Sequence, residues 1–286
     1  MEEIKEASNG ERINILMCGN EAVFRGIVLT LLSIRRHTSD PITLYIGTMD
    51  LTAADERYRP ISEEMRALAE ALLRERNADS RAVLVDFGRD FLAELSESKN
   101  LDSAYTPYAM IRLFAPRIEG IGSRLLYLDT DVLVLGDISE LYRTDIDGYH
   151  LAAVRDYFGK IFFSPRYFNS GVVLFNMDMM RRDEVFERCI ELCRERRMLL
   201  FDQHALNKYA KRRKLLPRRY NEQRRTMPDT LLRHFAMTIH FFPKFRTENI
   251  KPWQPELVHT KLGDHSFDDI FEEYRELCAT ALANNK

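Results

Sequence analysis

The sequence is short of the features that mark several large protein classes. It has four cysteines in 286 residues, Cys18, Cys189, Cys193 and Cys278, and none form Cys-x-x-Cys. Cys189 and Cys193 stand one helical turn apart, so ordinary buried thiols in a reduced, cytoplasmic protein are expected. No stretch is long and apolar enough to span a membrane. The start, Met1-Glu-Glu-Ile-Lys-Glu-Ala-Ser, is polar and acidic, without the basic start and apolar run of a signal peptide. No Gly-x-x-x-x-Gly-Lys-Ser/Thr occurs, which argues against a P-loop enzyme. Gly120-Ile-Gly122 precedes a strand, lacks a third glycine and opens no helix. Repeats and low-complexity linkers are missing too. A net charge of −2 gives no global reason to expect nucleic acid.

Apolar residues make up 45% of the chain, enough for a substantial core, and the length suits one large α/β domain with or without a small appendage. Ile13–Cys18 reads as a strand, Gly19-Asn20-Glu21 as a turn and 22–37 as a helix with Val23, Ile27, Leu31 and Ile34 at helical spacing. Asp40-Pro41 stops that helix, and 42–46 is the second strand. This order is that of a doubly wound α/β unit, in which ligands bind beyond the carboxyl ends of the strands. A helix around Met65–Leu73 and a strand at 82–87 follow. Thr106-Pro107 opens a helix that carries Arg112. Strands are expected at 151–154 and 172–175, and helices at 183–196 and from Phe201-Asp202-Gln203. Residues 228–260 read as loops and short elements. A tail helix is expected from Ser266, with Asp269 making a capping-box-like pair and Phe267, Ile270, Phe271, Tyr274 and Leu277 as its apolar stripe. The simplest partition is a catalytic domain over 1–260 and a helical C-terminal extension over 261–286.

The centre of this organisation is 124–135, Arg-Leu-Leu-Tyr-Leu-Asp-Thr-Asp-Val-Leu-Val-Leu. Leu125 to Leu128 reads as a strand buried on both faces, as inside a parallel sheet. Two carboxylates at its end are expensive unless compensated. In an extended chain residues i and i+2 point the same way, so Asp129 and Asp131 can converge on one point. Oxygen ligands suit Mg²⁺ or Mn²⁺ and leave coordination places for phosphate oxygens. The plainer alternative is a turn with one carboxylate capping a helix.

Four motifs occur in order: Leu-Tyr-Leu-Asp129-Thr-Asp131-Val-Leu-Val, Tyr-Phe-Asn169-Ser-Gly171-Val, Phe-Asp202-Gln203 and Ile-Lys251-Pro252-Trp253. Together they resemble the retaining glycosyltransferases of family 8, the group of lipopolysaccharide galactosyl- and glucosyltransferases and glycogenin. The resemblance covers Ile13 to about Trp253. It implies a GT-A fold, a Rossmann-like mixed sheet flanked by helices, with Mn²⁺ or Mg²⁺ and a UDP-sugar donor. The implied activity is transfer of galactose or glucose to a glycan or glycolipid acceptor, in cell-surface polysaccharide or lipopolysaccharide synthesis. Asp129 and Asp131 match the family's metal-binding pair. Arg112 matches an arginine contacting donor sugar or phosphate. Asp156, Asn169, Asp202 and Gln203 match positions lining the sugar pocket, with Gln203 near the anomeric carbon and Asp202 the better acid or hydroxyl acceptor. Lys251 is expected at the diphosphate. The implied path is front-side attack with retention, the leaving phosphate helping to deprotonate the acceptor.

Two departures from the family pattern stand out. The first turn usually reads Asp-Asp-Asn-Tyr; here it is Asn20-Glu21-Ala22-Val23, which leaves Asn20 to hydrogen-bond a base and removes the aromatic platform. The family's third metal ligand is the His of His-x-x-Gly-x-x-Lys-Pro-Trp. Counting back from Lys251, that position holds Phe245; His240 is the nearest upstream candidate and His259 a weaker one. His37, His150, His204, His234 and His265 lack motif context and receive no role. From Lys211 to Arg225, eight of fifteen residues are basic. This is either a solvated face or a surface for an anionic acceptor or an anionic membrane face, as peripheral attachment at the inner side of the cell membrane would require. Alternatives to the transferase are a nucleotidyltransferase, disfavoured by the missing glycine-rich loop, and a sugar-nucleotide-binding protein with little turnover. A nucleic-acid binder is the least favoured, because the basic run lacks stacking aromatics beyond Tyr220.

Overall fold

The computed structural model describes residues 11–101, 106–240, 244 and 246–284; of His240 and residues 281–284 it describes the backbone alone. Its strands are β1 (Ile13–Cys18), β2 (Ile42–Thr48), β3 (Arg81–Asp86), β4 (Arg124–Leu128), β5 (Val132–Val134), β6 (Leu151–Arg155), β7 (Phe168–Asn176), β8 (Arg213–Leu216), β9 (Leu232–His234), β10 (Thr238–His240) and β11 (Arg246–Glu248). Seven of them make one sheet in the order β3-β2-β1-β4-β7-β6-β8. β1, β2, β3 and β4 run parallel, as do β6 and β8, whereas β7 is antiparallel to both of its neighbours. β7 therefore runs against the other six. Its amino end lies at the same edge as the carboxyl ends of β4 and β6, with Leu128 opposite Val172 and Arg155 opposite Phe168. The site is built at that edge.

Burial follows the strand period of two. β1 sends Ile13, Ile15 and Met17 into one apolar cluster and Leu16 and Cys18 into the other. β4 divides likewise, Leu126 and Leu128 on one face, Leu125 and Tyr127 on the other. The expected two-sided burial of this strand is thus present, within a mixed sheet. The helix Phe24–His37 covers one face. Its buried polar residues are used: Thr30 Oγ1 donates to Val132 O at 2.8 Å, and Ser33 Oγ accepts from Val134 N at 3.0 Å. These bonds fix β5 on the helix.

Some boundaries differ from the sequence expectation for identifiable reasons. The Arg112 helix is two 3₁₀ segments, Pro107–Ala109 and Ile111–Arg117. Pro116 lies inside the second and has no N–H for an α-helical bond to Arg112 O. β7 begins at Phe168, so Asn169, Ser170 and Gly171 are strand residues rather than a lead-in. The last helix, Asp268–Asn284, starts two residues beyond Ser266, whose N–H donates to Asp264 Oδ1 at 3.1 Å. Phe267, Ile270 and Phe271 join the buried cluster of the first helix, and Arg36 Nη2 reaches Glu273 Oε2 at 2.7 Å.

Candidate active site

Asp129, Thr130 and Asp131 form the turn between β4 and β5. Asp129 N donates to Gly171 O at 2.8 Å, locking this turn to the amino end of β7. β5 pairs antiparallel with β9, which sets Val132 opposite His234. One ligand atom each from Asp129, Asp131 and His234 lie within 4.8 Å of one another. His234 Nε2 is 3.2 Å from Asp131 Oδ1 and 3.7 Å from Asp129 Oδ2. The expectation that His234, which lacks motif context in the sequence, has no role is corrected: the β5–β9 pairing carries its imidazole to the acidic pair. The side chain of His240 and all of Phe245 lie outside the described residues. His259 belongs to a separate group, with His265 and Asp268.

The residues present fit a divalent cation. Asp131 Oδ1 is buried, and among the described residues no donor serves it apart from the His234 imidazole, whose Nε2 is 3.2 Å away. A Cβ at residue 171 would stand 2.2 Å from His234 Cε1 and 2.8 Å from Asp129 Oδ2, so only glycine leaves this space open. The backing is equally close. A Cβ at residue 26 would stand 2.1 Å from Thr130 O and 2.7 Å from Trp253 Cζ3. Gly26 thus lets the first helix, the acidic turn and the Lys-Pro-Trp motif meet, a requirement that nothing local in the sequence announces.

Lys251 Nζ bonds Asp131 Oδ2 at 2.5 Å and Phe235 O at 3.2 Å. Burial alone would raise the Asp131 carboxyl; the Lys251 ammonium and, after it, the His234 imidazole outweigh this and hold the group well below the usual carboxylate range. A lowered folded value stabilises the protein above the unfolded value, about 3.9, and that contribution is lost as pH falls towards the folded value. Lys251→Met removes the partner. Its melting temperature should lie below the parent's at neutral pH, and the gap should close on acidification below about pH 4. A gap independent of pH, in melts followed by circular dichroism, would contradict this pairing.

Arg112 is 4% exposed, and its guanidinium is committed to protein groups. Nη1 donates to Ser170 O at 2.7 Å, Nη2 to Asp129 Oδ1 at 2.9 Å and Nε to Ala109 O at 2.9 Å, with Asp202 Oδ2 3.1 Å from Nε. The guanidinium lies over the Tyr127 ring at 4.1 Å, and the Tyr127 hydroxyl donates to Asp129 Oδ1 at 2.7 Å. Arg112 thus aims Asp129. Burial pushes the Asp202 carboxyl up, against the pull of Arg112, whereas Asp131 is held down. Two buried carboxyls of this site are therefore driven in opposite directions.

The other sequence-selected residues also gather here. Asp156 Oδ1 accepts from Phe158 N at 3.1 Å and Gly159 N at 2.6 Å. Its Oδ2 accepts from Asn169 Nδ2 at 3.0 Å and Gln203 Nε2 at 3.3 Å. Gln203 Oε1 accepts from Ser170 N at 2.9 Å. Asp156 and Gln203 therefore clamp the amino end of β7 from both sides. Asn20 is buried beyond β1 and its Nδ2 donates to Arg57 O at 3.1 Å, leaving Oδ1 for other use. Five of the eight basic residues of the 211–225 run bond protein groups, while Lys211, Arg212, Arg218, Arg224 and Arg225 are exposed. Arg213 donates to Asn207 Oδ1, Lys214 to Asp145 O, Arg218 to Glu222, Arg219 to Glu140 and Arg224 to the Tyr157 hydroxyl.

A mixed α/β sheet with two carboxylates and an imidazole gathered at its carboxyl edge defines a protein of the GT-A class. Structural comparison agrees. An active-site mutant of LgtC superposes with a TM-score of 0.65 over 94% of this chain and 96% of that one, at 18% identity. GlyE of Streptococcus pneumoniae TIGR4 gives 0.63 over 94% and 64%, at 20% identity. The chain belongs to glycosyl transferase family 8, whose model matches residues 14–256. Among curated relatives, GlyF of Streptococcus pneumoniae serotype 4 is 26% identical over 69% of this chain and 46% of its own length. GlyB of the same organism is 39% identical over 35% of this chain and 24% of its own. The chain thus spans less than half the length of these two relatives.

Proposed function

We propose that this chain is a retaining hexosyltransferase that moves galactose or glucose from a UDP-sugar to a saccharide or glycolipid acceptor. The observation that carries the proposal is the convergence of Asp129, Asp131 and His234 at the strand edge where this fold binds nucleotides, around a buried Asp131 oxygen that no described donor but the His234 imidazole reaches. A bound Mn²⁺ or Mg²⁺ would be held by these three side chains, and would neutralise charge developing on the diphosphate leaving group. Lys251 adds an ammonium beside Asp131 that offsets phosphate charge. Asn20, beyond β1, offers to the nucleoside an Oδ1 that bonds no described residue. Asn169, Gln203 and Asp202 line the same edge and receive the hexose, with Asp156 and Arg112 holding them in place. Cell-surface polysaccharide or lipopolysaccharide synthesis is the role that suits such an acceptor.

Calorimetric titration of UDP tests the reading, with Mn²⁺ and then with excess EDTA. Binding is expected with metal and should vanish with EDTA and in Asp131→Ala. A screen of UDP-sugars for hydrolysis or transfer then identifies the hexose. Binding that ignores EDTA would remove the metal from the proposal, and binding without turnover on any UDP-sugar would leave a sugar-nucleotide-binding protein.

A further inference from the structure

The geometry points to Asn221 as the residue that sets the tautomer of His234, and so turns the Nε2 lone pair towards Asp129 and Asp131. This inference rests on the reading of those three residues as metal ligands. Asn221 is 1% exposed and lies on none of the four family motifs.

A chain of hydrogen bonds leads from Asp156 to His234, and its direction is fixed at the Asp156 end. Asp156, as a carboxylate, only accepts, so the group of Asn169 that faces it at 3.0 Å is the amide nitrogen. The same orientation is required independently by Gly171 N–H, which donates to Asn169 Oδ1 at 3.0 Å. Asn169 Oδ1 can then only accept from its next neighbour. That neighbour is Asn221 Nδ2, at 2.9 Å. With its amide nitrogen used, Asn221 presents Oδ1 to His234 Nδ1 at 3.2 Å. A carbonyl oxygen only accepts, so Nδ1 carries the proton. In the neutral ring Nε2 is then bare, and it is the atom beside Asp131 Oδ1. A lone pair facing two carboxylates is unfavourable unless a cation lies between them.

The backbone is built to hold this contact. Glu222 N donates to Leu232 O and His234 N to Glu222 O, each at 2.9 Å, so the segment after Asn221 is laced to β9. Buried Arg233 ties the same pieces, its Nη1 donating to Glu222 O at 2.9 Å and His234 O at 2.6 Å. Asn221 and His234 are thus delivered as one unit. In this arrangement Asp156 acts on the ligand set through Asn169 and Asn221, as a positioning residue. Orienting partners of ligating histidines ordinarily contribute about 10–100-fold to metal affinity.

The test is long-range proton–nitrogen NMR of the histidine rings in the full chain with excess Mg²⁺, with His234 assigned by its loss in His234→Gln. The expected spectrum has a protonated Nδ1 and a bare Nε2. Asn221→Asp gives up the donor to Asn169 Oδ1 but still offers an acceptor to Nδ1 and should keep that tautomer, whereas Asn221→Leu should lose the bias and bind Mn²⁺ about 10–100-fold more weakly by calorimetry. A proton on Nε2 in the parent overturns the inference even if the leucine variant fails to fold. So does a leucine variant with unchanged tautomer and Mn²⁺ affinity. If the parent shows the expected tautomer but binds no Mn²⁺, the tautomer assignment is upheld and the metal reading of the site falls.

Discussion

Arg112→Leu should lower the thermal stability of this protein more than most single changes in its core. The guanidinium is buried between two carboxylates, Asp129 and Asp202, and also serves Ser170 O and Ala109 O. Removing one partner of a buried ionic group leaves uncompensated charge, at a cost of about 3–5 kcal/mol. With roughly 2–4 °C per kcal/mol for a chain of this size class, the melting temperature should fall by about 10 °C. Arg112→Lys keeps the charge but places one point ammonium where a planar fork serves separated acceptors, and should recover only part of the loss. The double variant Arg112→Leu with Asp202→Asn separates charge from packing. The asparagine removes the buried charge that burial already disfavours, so the pair should be less destabilised than the sum of the single changes. A leucine variant melting within about 2 °C of the parent would show that Arg112 does not hold these carboxylates in solution.

Six of the sheet's seven strands were legible in the sequence because they are apolar runs; β8, Arg-Lys-Leu-Leu inside the basic run, was not. Ile13–Cys18 is β1 without adjustment, and β4 has the two-faced burial read from Leu125 to Leu128. The acidic pair was legible for a related reason: its geometry is local, two side chains across one residue. What sequence distance could not supply was anything set by strand pairing or by close approach of backbones. The third member of the cluster had been sought by counting back from Lys251. The chain between His234 and Lys251 contains the β10–β11 pair, which makes that count uninformative. The pairing of β5 with β9 fixes the imidazole instead, and a three-residue strand of Leu, Arg and His gives little periodic signal. Gly26 was passed over because its requirement lies in Thr130 and Trp253, far apart in the chain. Arg112 was selected from its motif, but its partners became visible only when β4 and β7 were side by side.

His234→Ala should abolish metal-dependent UDP binding while leaving the fold largely in place. The ring is buried, and its Nε2 faces the two carboxylates. Alanine leaves Asp129 held by Arg112 and Tyr127, and Asp131 held by Lys251, so the acidic turn keeps its partners. The change therefore removes a ligand without dismantling the turn. A partner that merely orients a ligating histidine is worth about 10–100-fold in affinity, so loss of the ligand itself should exceed about 100-fold. Calorimetry with Mn²⁺ and UDP reads this directly, with circular dichroism melts as the control for folding. His240→Ala is the informative companion. Loss of Mn²⁺ affinity in His240→Ala, with His234→Ala unaffected, would return the third ligand to the nearest histidine upstream of the Lys-Pro-Trp motif. Loss in His234→Ala alone would mean that the β5–β9 pairing, and not distance from the Lys-Pro-Trp motif, decides which imidazole completes the site.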